Sequence, residues 1–252
     1  MSVAGSKIYK ETVIGLLETI EREEKANIDK AAELMAETIK DGKLIHVIGP
    51  GGHSNIGAME MFCRAGGLVC VNAILDPGTM SNFGARRSTV IERTPGYGIS
   101  VLEAYNIVDG ILIIVNAYGI NSMTIDVALE ARRRGLSTIG VTSREFSEKI
   151  PSSHPARHPS MKNLCDNVDI HVDCHMPYGD AVVAFEGLKP RVGPVSTIVN
   201  AFALNLMVIR TAEILLAEGI MPPILASANI PGGDEYNSKL REKYPRDLLY
   251  HG

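Results

Sequence analysis

Cysteine is scarce in this chain: Cys63, Cys70, Cys165 and Cys174 are the only four, and no two of them stand in a C-x-x-C pattern. The common zinc and redox motifs are thereby excluded, and a chain of 252 residues builds enough core to need no disulfide. Buried, reduced thiols are expected. Basic clusters are lacking as well. The formal net charge is -4, and binding to phosphate backbones needs grouped Lys and Arg. The longest basic run, Arg132, Arg133 and Arg134, closes a helical pattern just before Gly135, where cations offset the helix dipole. A nucleic-acid partner is not expected. The start of the chain turns acidic without a signal-peptide core, and no uncharged apolar run approaches the roughly 18 residues that span a bilayer. Neither a membrane partner nor export is expected, which points to a cytoplasmic protein. No repeat or low-complexity linker divides the sequence, so residues 1 to 252, 45% hydrophobic and 21% charged, are read as a single domain.

What is present has the alternation of an α/β protein. An N-terminal helical segment, residues 1 to 41, carries Ile8, Leu16, Ile20, Ile28, Met35 and Ile39 at helical spacing. The charged run EREEK interrupts it, which predicts two helices or one bent one. Gly42 ends the pattern and KLIHVIG begins a strand. Further Val- and Ile-rich runs at residues 67 to 75, 110 to 118, 137 to 143 and 167 to 173 read as strands buried on both faces. Helical spacing between them implies a parallel sheet with helices on its faces. Residues 193 to 219 read as a helix apolar nearly all round, fit for a core or a subunit interface. The segment 220 to 252 reads as a polar tail.

The stretch LIHVIGPGGHSNIGAMEMF, residues 44 to 62, joins a strand to a helix through Gly49, Gly51 and Gly52. A joint of this kind gathers free backbone N–H groups and the positive end of a helix dipole, which attracts anions. Glycines also serve simple chain reversal. Ser54 adds a hydroxyl donor, and His53 is long enough to reach past an anion to the reacting carbons. This is not a Walker loop, since no Gly-Lys-Ser/Thr follows. Nor is it a dinucleotide fingerprint: the third glycine is missing and Asp76 is followed at once by Pro77. A second joint, residues 115 to 131, repeats the logic with Gly119 at the turn and Asn121, Ser122 and Thr124 placed to cap the next helix.

These joints, with ERTPGYG, SHPARHPSMKNLCDNVDIHVD, PYGDAVVAFEGL, VGPVSTI and SANIPGGDEYN in order along nearly the whole chain, resemble the sugar isomerase (SIS) domain family. That family includes phosphoheptose isomerase and the isomerase half of glucosamine-6-phosphate synthase. The chain is most similar to a bacterial subgroup described as phosphosugar isomerases or phosphoheptose isomerase-like. The resemblance implies an α/β fold, a three-layer α/β/α sandwich around a five-stranded parallel sheet, preceded by the N-terminal helical segment. It also implies a homodimer or homotetramer with sites near subunit interfaces, a small-molecule anionic sugar as ligand, and no metal or organic cofactor. One departure stands out. Phosphate-binding members carry a hydroxyl-rich second loop, approximately Ser-x-Ser-Gly-x-Thr, where this chain has Asn116, Tyr118, Gly119 and Asn121. Fewer hydroxyl donors suit a less charged group such as a sulfonate, with Arg86 and Arg87, in a loop ahead of ERTPGYG, as a cationic clamp.

The expected activity is an aldose–ketose isomerase for a sugar phosphate or sulfonated sugar, working through an enediol. The alternatives are a non-catalytic sugar-phosphate-binding module and a sugar-acid lyase or etherase. Isomerisation needs a base facing C1 and C2 and a second group to shuttle the oxygen-bound proton. Glu92, beside Arg93 in a polar loop, is the first candidate base and Glu60 the second. The family's base glutamate falls near Arg64, so that role is not carried over. His53 and His158 are the shuttle candidates. Gly51, Gly52, Ser54, Asn116, Tyr118, Gly119, Asn121, Ser122, Arg86 and Arg87 are assigned to substrate binding, joined by Ser196 and Thr197, read as capping the long apolar helix and turning donors to the ligand. Asp180 and Glu186 are expected in the same cleft, and Asp234 and Glu235 near a neighbouring subunit's site. The alternation His171, Asp173, His175 raises a zinc question, but the preferred reading is a strand end leading into a polar turn.

Overall fold

The computed structural model describes residues 4–244; both ends of the chain, including residues 245 to 252 of the expected polar tail, lie outside them. In order the chain forms α1 (Ala4–Glu23), α2 (Lys25–Lys40), β1 (Ile45–Ile48), α3 (Asn55–Met61), β2 (Val71–Ile74), α4 (Ala85–Glu92) and α5 (Tyr97–Ala104). There follow β3 (Ile111–Val115), α6 (Ser122–Arg133), β4 (Ser137–Thr142), α7 (Arg144–Lys149) and β5 (Ile170–Asp173). The chain ends in β6 (Ala181–Phe185), β7 (Leu188–Pro194), α8 (Ser196–Ala217) and α9 (Gly233–Arg241).

β1 to β5 form the expected five-stranded parallel sheet, in the order β2-β1-β3-β4-β5. Side chains alternate between its faces. Ile45, Val47, Ile111, Ile113 and Val115 meet α1, α2, α3 and α8, while Ile48, Leu112 and Ile114 meet α5 and α6. Both faces are therefore dry, which is why the strands read as unbroken apolar runs.

That strand order positions the site. β1 lies between β2 and β3, with Ile48 level with Ile114 of β3. The chain leaves β1 toward one side and comes back past it to β3, so the two connections diverge and leave a crevice beyond the carboxyl ends of these strands. The two glycine-containing joints open into that crevice side by side.

The N-terminal segment is two helices, broken at Glu24. The cause is visible: Glu24 is buried, 7% exposed, and its carboxylate accepts from Asn27 Nδ2 at 2.8 Å and from the Asp173 amide at 3.1 Å. A charged run thus turns inward at one residue. By length and composition α8 is apolar enough to cross a membrane, yet it packs as the expected core helix. Here Val199, Ala203, Leu204 and Met207 are buried in one cluster with Ile28 and Met35 of α2. β6 and β7 form an antiparallel hairpin, an element that the sequence reading does not assign. Gly187, in the turn between them, has φ 76°, a left-handed conformation that favours glycine.

Candidate functional site

A cavity of about 420 Å³ lies at the crevice. It is walled by the glycine-rich joint, by one face of α4, by the turn after β3 and by the start of α8.

The glycine-rich joint brings Gly52, His53 and Ser54 to the cavity. The chain curls so tightly that a Cβ on Gly49 would collide with the Ser54 carbonyl, so only glycine fits there. Asn55 Nδ2 donates to the Gly51 carbonyl at 2.7 Å and fixes the curl. Ser54 takes the N-cap position of α3, yet its hydroxyl makes no capping bond. His53 is exposed at the rim.

α4 replaces the loop expected around Glu92. Residues 85 to 92 are helical, and Ala85, Ser88, Thr89 and Glu92, spaced as one helical face, line the cavity. Arg86 and Arg87 are exposed and do not line it; Arg87 Nη1 donates instead to the Pro77 carbonyl at 3.1 Å. The cationic clamp is therefore corrected by the same periodicity that delivers Glu92. Burial pushes the Glu92 carboxyl above its ordinary value, opposed in part by a hydrogen bond from the Gly52 amide and by the Arg93 charge.

The second joint shows what replaces the missing hydroxyls. Asn116 Nδ2 donates to the Pro50 carbonyl at 3.1 Å, and Asn116 Oδ1 accepts the amides of Tyr118 and Gly119 at 3.1 and 2.9 Å. Asn116 is a strut tying the two joints together while its edge still faces the cavity. Gly51, Gly119 and Ser122 stand behind the lining rather than in it. Asn121 sits at the N-cap of α6 without a side-chain capping bond, contrary to expectation, and its side chain lines the cavity.

At the fourth wall Asp180, not Ser196 or Thr197, caps α8. Its Oδ1 accepts the amides of Val195 and Ser196 at 2.9 and 2.8 Å, and its Oδ2 accepts the Ser196 hydroxyl at 2.9 Å. Burial, reinforced by the Asp180 charge, pushes the Tyr118 phenol up to about 12. Tyr118 also packs on Phe146, centroid to centroid at 4.7 Å.

Other candidates lie elsewhere. Glu60 turns to Asn205 and Arg64, outside the lining. His158 places Nε2 3.1 Å from Asp126 Oδ1 and Nδ1 2.7 Å from Ser160 Oγ, clasping its loop to α6 away from the cavity. Glu186 sits exposed in the hairpin turn. His171 Nε2 lies 3.0 Å from the Thr142 carbonyl and His175 Nε2 3.3 Å from Glu24, so the two rings serve different partners. Among the described residues no group of three or more His, Cys, Asp or Glu is placed to hold a metal ion. Asp234 and Glu235 lie in the first turn of α9.

Sequence reasoning missed Ser81, Ser88, Thr89 and Asn200 as lining residues. The α4 pair was recoverable from helical spacing. Among the described residues the lining includes two carboxylates, Glu92 and Asp180, and no Lys or Arg.

Comparison with known proteins follows the same lines. A family model described as the SIS domain matches residues 8–143. A UPF0309 protein of Caldanaerobacter subterraneus subsp. tengcongensis is 38% identical over 96% of this chain and 98% of its own length. Another, from Oceanobacillus iheyensis, is 37% identical over 97% and 98%. Among solved structures, a phosphoheptose isomerase from Francisella tularensis matches with a TM-score of 0.54 at 15% identity, covering 86% of this chain and 99% of that one. One from Neisseria gonorrhoeae matches at 0.50 and 15%, covering 82% and 94%. At such identity the likeness is one of fold.

Proposed function

We propose, since the chain belongs to the SIS domain family and has UPF0309 proteins as relatives, that it is an aldose–ketose isomerase acting on a sugar that carries a phosphate or sulfonate. The observation that carries this reading is the carboxylate of Glu92, held against the glycine-rich joint in a cavity whose lining includes the hydroxyls and amides of Ser54, Ser88, Asn116 and Asn121. Glu92 removes the proton from the carbon beside the carbonyl. The electron pair forms the enediol, and the proton returns to the neighbouring carbon. Its raised pKa makes Glu92 a stronger base than an exposed glutamate. His53, at the rim, relays the proton between the two substrate oxygens. Such a transfer needs no electron acceptor, so no redox cofactor enters the steps.

The anionic end is assigned to the Ser54 hydroxyl, the amides around it and Asn121. With no Lys or Arg among the described lining residues, a singly charged sulfonate is held with less loss than a phosphate near -2. The reading includes a homodimer or homotetramer with the cavity near a subunit contact.

The test is incubation with hexose and heptose phosphates and sulfonated hexoses in deuterated water. Deuterium entering at C2, with aldose and ketose interconverting, is expected. A folded protein that is stabilised by one of these sugars yet exchanges nothing is a binding module instead.

A further inference from the structure

Asn200 lies one turn into α8, buried at 6% exposure, and lines the cavity. Its Oδ1 has no hydrogen-bond partner. Asp180 and Ser196 beside it are already engaged with each other: Asp180 takes the amides of Val195 and Ser196 and the Ser196 hydroxyl. The helix N-terminus is thus occupied by the chain's own carboxylate, and a second anion beside it would be repelled. What this wall offers a ligand is a neutral carboxamide with spare capacity.

A buried amide oxygen left unpaired is costly, and most such groups in folded proteins have partners. The Asn χ2 torsion is broad and roughly two-fold, so the amide turns with little strain to present either its oxygen or its nitrogen. A sugar hydroxyl is both donor and acceptor and satisfies either end. We propose that Asn200 is a specificity-determining residue: its carboxamide bonds one hydroxyl on the uncharged part of the substrate, so that the site selects polyhydroxylated chains bearing that hydroxyl over their deoxy analogues. The proposal rests on the sugar-binding reading of this cavity and not on the isomerisation step. Loss of a single hydroxyl bonded there lowers affinity by about 10- to 100-fold, and a site built around a hydroxyl rejects the analogue lacking it far better than an apolar pocket rejects an added group.

The probes are alditol phosphates and sulfonates of four to seven carbons, each with its set of single-position deoxy analogues, titrated by calorimetry into the full chain and into Asn200→Ala and Asn200→Leu. The wild type is expected to discriminate against one deoxy position by about 10- to 100-fold, and both variants to bind that analogue and its parent almost equally. Melting temperatures without ligand give a second readout. Removal of an unpartnered buried amide leaves them unchanged or raises them, most clearly for the near-isosteric Asn200→Leu. Discrimination that survives in both variants overturns the proposal, as does a clear drop in melting temperature of Asn200→Leu, which would show the amide to be paired within the protein. Discrimination lost in the variants with no deuterium exchange by the wild type upholds Asn200 and removes the isomerase. Exchange with unaltered discrimination does the reverse, and no binding of any probe to the wild type overturns both.

Discussion

A Cβ placed on Gly51 falls 2.8 Å from Oε2 of Glu92 and 3.5 Å from Nδ2 of Asn116, so the glycine-rich joint and the carboxylate approach each other as closely as a missing side chain allows. Gly51→Ala therefore pushes on Glu92, whose own helix α4 holds it from behind. The expected outcome is a fall of about 10²-fold in the isomerase rate, the usual consequence of displacing a reacting group by about 1 Å, together with a lower melting temperature, because Gly51 holds φ 155°, a conformation strained for alanine. Exchange kinetics and a melting curve check it. A variant as active as the parent shows that the Gly51–Glu92 approach has no part in the chemistry.

Glu92→Gln separates activity from stability. Burial raises the carboxyl pKa above 4.5, so the folded state holds this proton more tightly than the unfolded chain does. Stability from this group is lost as pH rises from the unfolded value through the higher folded one, and stays lost at neutral pH. Glutamine removes that cost. The variant is expected to be more stable than the parent at pH 7 and equal to it near pH 4, while deuterium exchange drops by about 10²- to 10⁴-fold. In the parent, the acid limb of kcat/KM falls above the pH of an exposed glutamate. Equal stability at pH 7, or an acid limb at the ordinary carboxylate value, speaks against the assignment.

The break between α1 and α2 carries its own pH signature. Burial disfavours the Glu24 charge, but hydrogen bonds from His175, Asn27 and the Asp173 amide outweigh it and hold the pKa below 4.5. The hydrogen bond to Glu24 raises His175 above 6.5, against the pull of burial. For Glu24 the stabilisation is present above the unfolded pKa and disappears as pH falls through the folded one. For His175 it is full below the unfolded pKa and fades as pH climbs through the folded one. The pair contributes most between about pH 4.5 and 6.5. Glu24→Gln is expected to lower the melting temperature most in that window, less near pH 9 where His175 is neutral, and least in acid below the folded pKa of Glu24, where the parent's carboxyl is itself neutral. A uniform drop at every pH means that Glu24 acts by packing alone.

Much of this architecture was legible because strands dry on both faces leave unbroken Val and Ile runs, and the divergence of the joints after β1 and β3 follows from their being parallel neighbours. The local misreadings have separate physical causes. The segment ARRSTVIE is too polar to look like a core helix, yet a helix that lines a polar cavity is polar on its inner face. Helical spacing would have put Ser88, Thr89 and Glu92 together and sent Arg86 outward. The hairpin β6–β7 is short and exposed, so alternation was its main sign, with Gly187 as the turn signal. His158 could not be placed from sequence, since its partner Asp126 is 32 residues away. Asn200 was visible as a polar break in an apolar helix, but that its amide lacks a partner is a property of packing. A pattern of residue types does not contain it.

Asp180 is where capping and the cavity meet, and it yields the most direct spectroscopic prediction. The residue holds a positive φ of 65° in the turn before β6, a costly conformation for a non-glycine residue, offset by the bonds it accepts from Val195 and Ser196. Asp180→Ala removes the cap of α8 and is expected to cost about 0.5–2 kcal/mol, read as a lower urea midpoint. Asp180→Asn keeps the shape and removes the charge. The Tyr118 phenol, pushed up to about 12 first by burial and then by this carboxylate, then ionises at lower pH, though still above an exposed tyrosine because burial remains. With no tryptophan and eight tyrosines, tyrosinate absorbance can be followed without indole overlap, and subtraction of Tyr118→Phe isolates the one group. An unchanged titration in Asp180→Asn would mean that the Asp180 charge does not act on the Tyr118 phenol in solution, and that burial alone raises it.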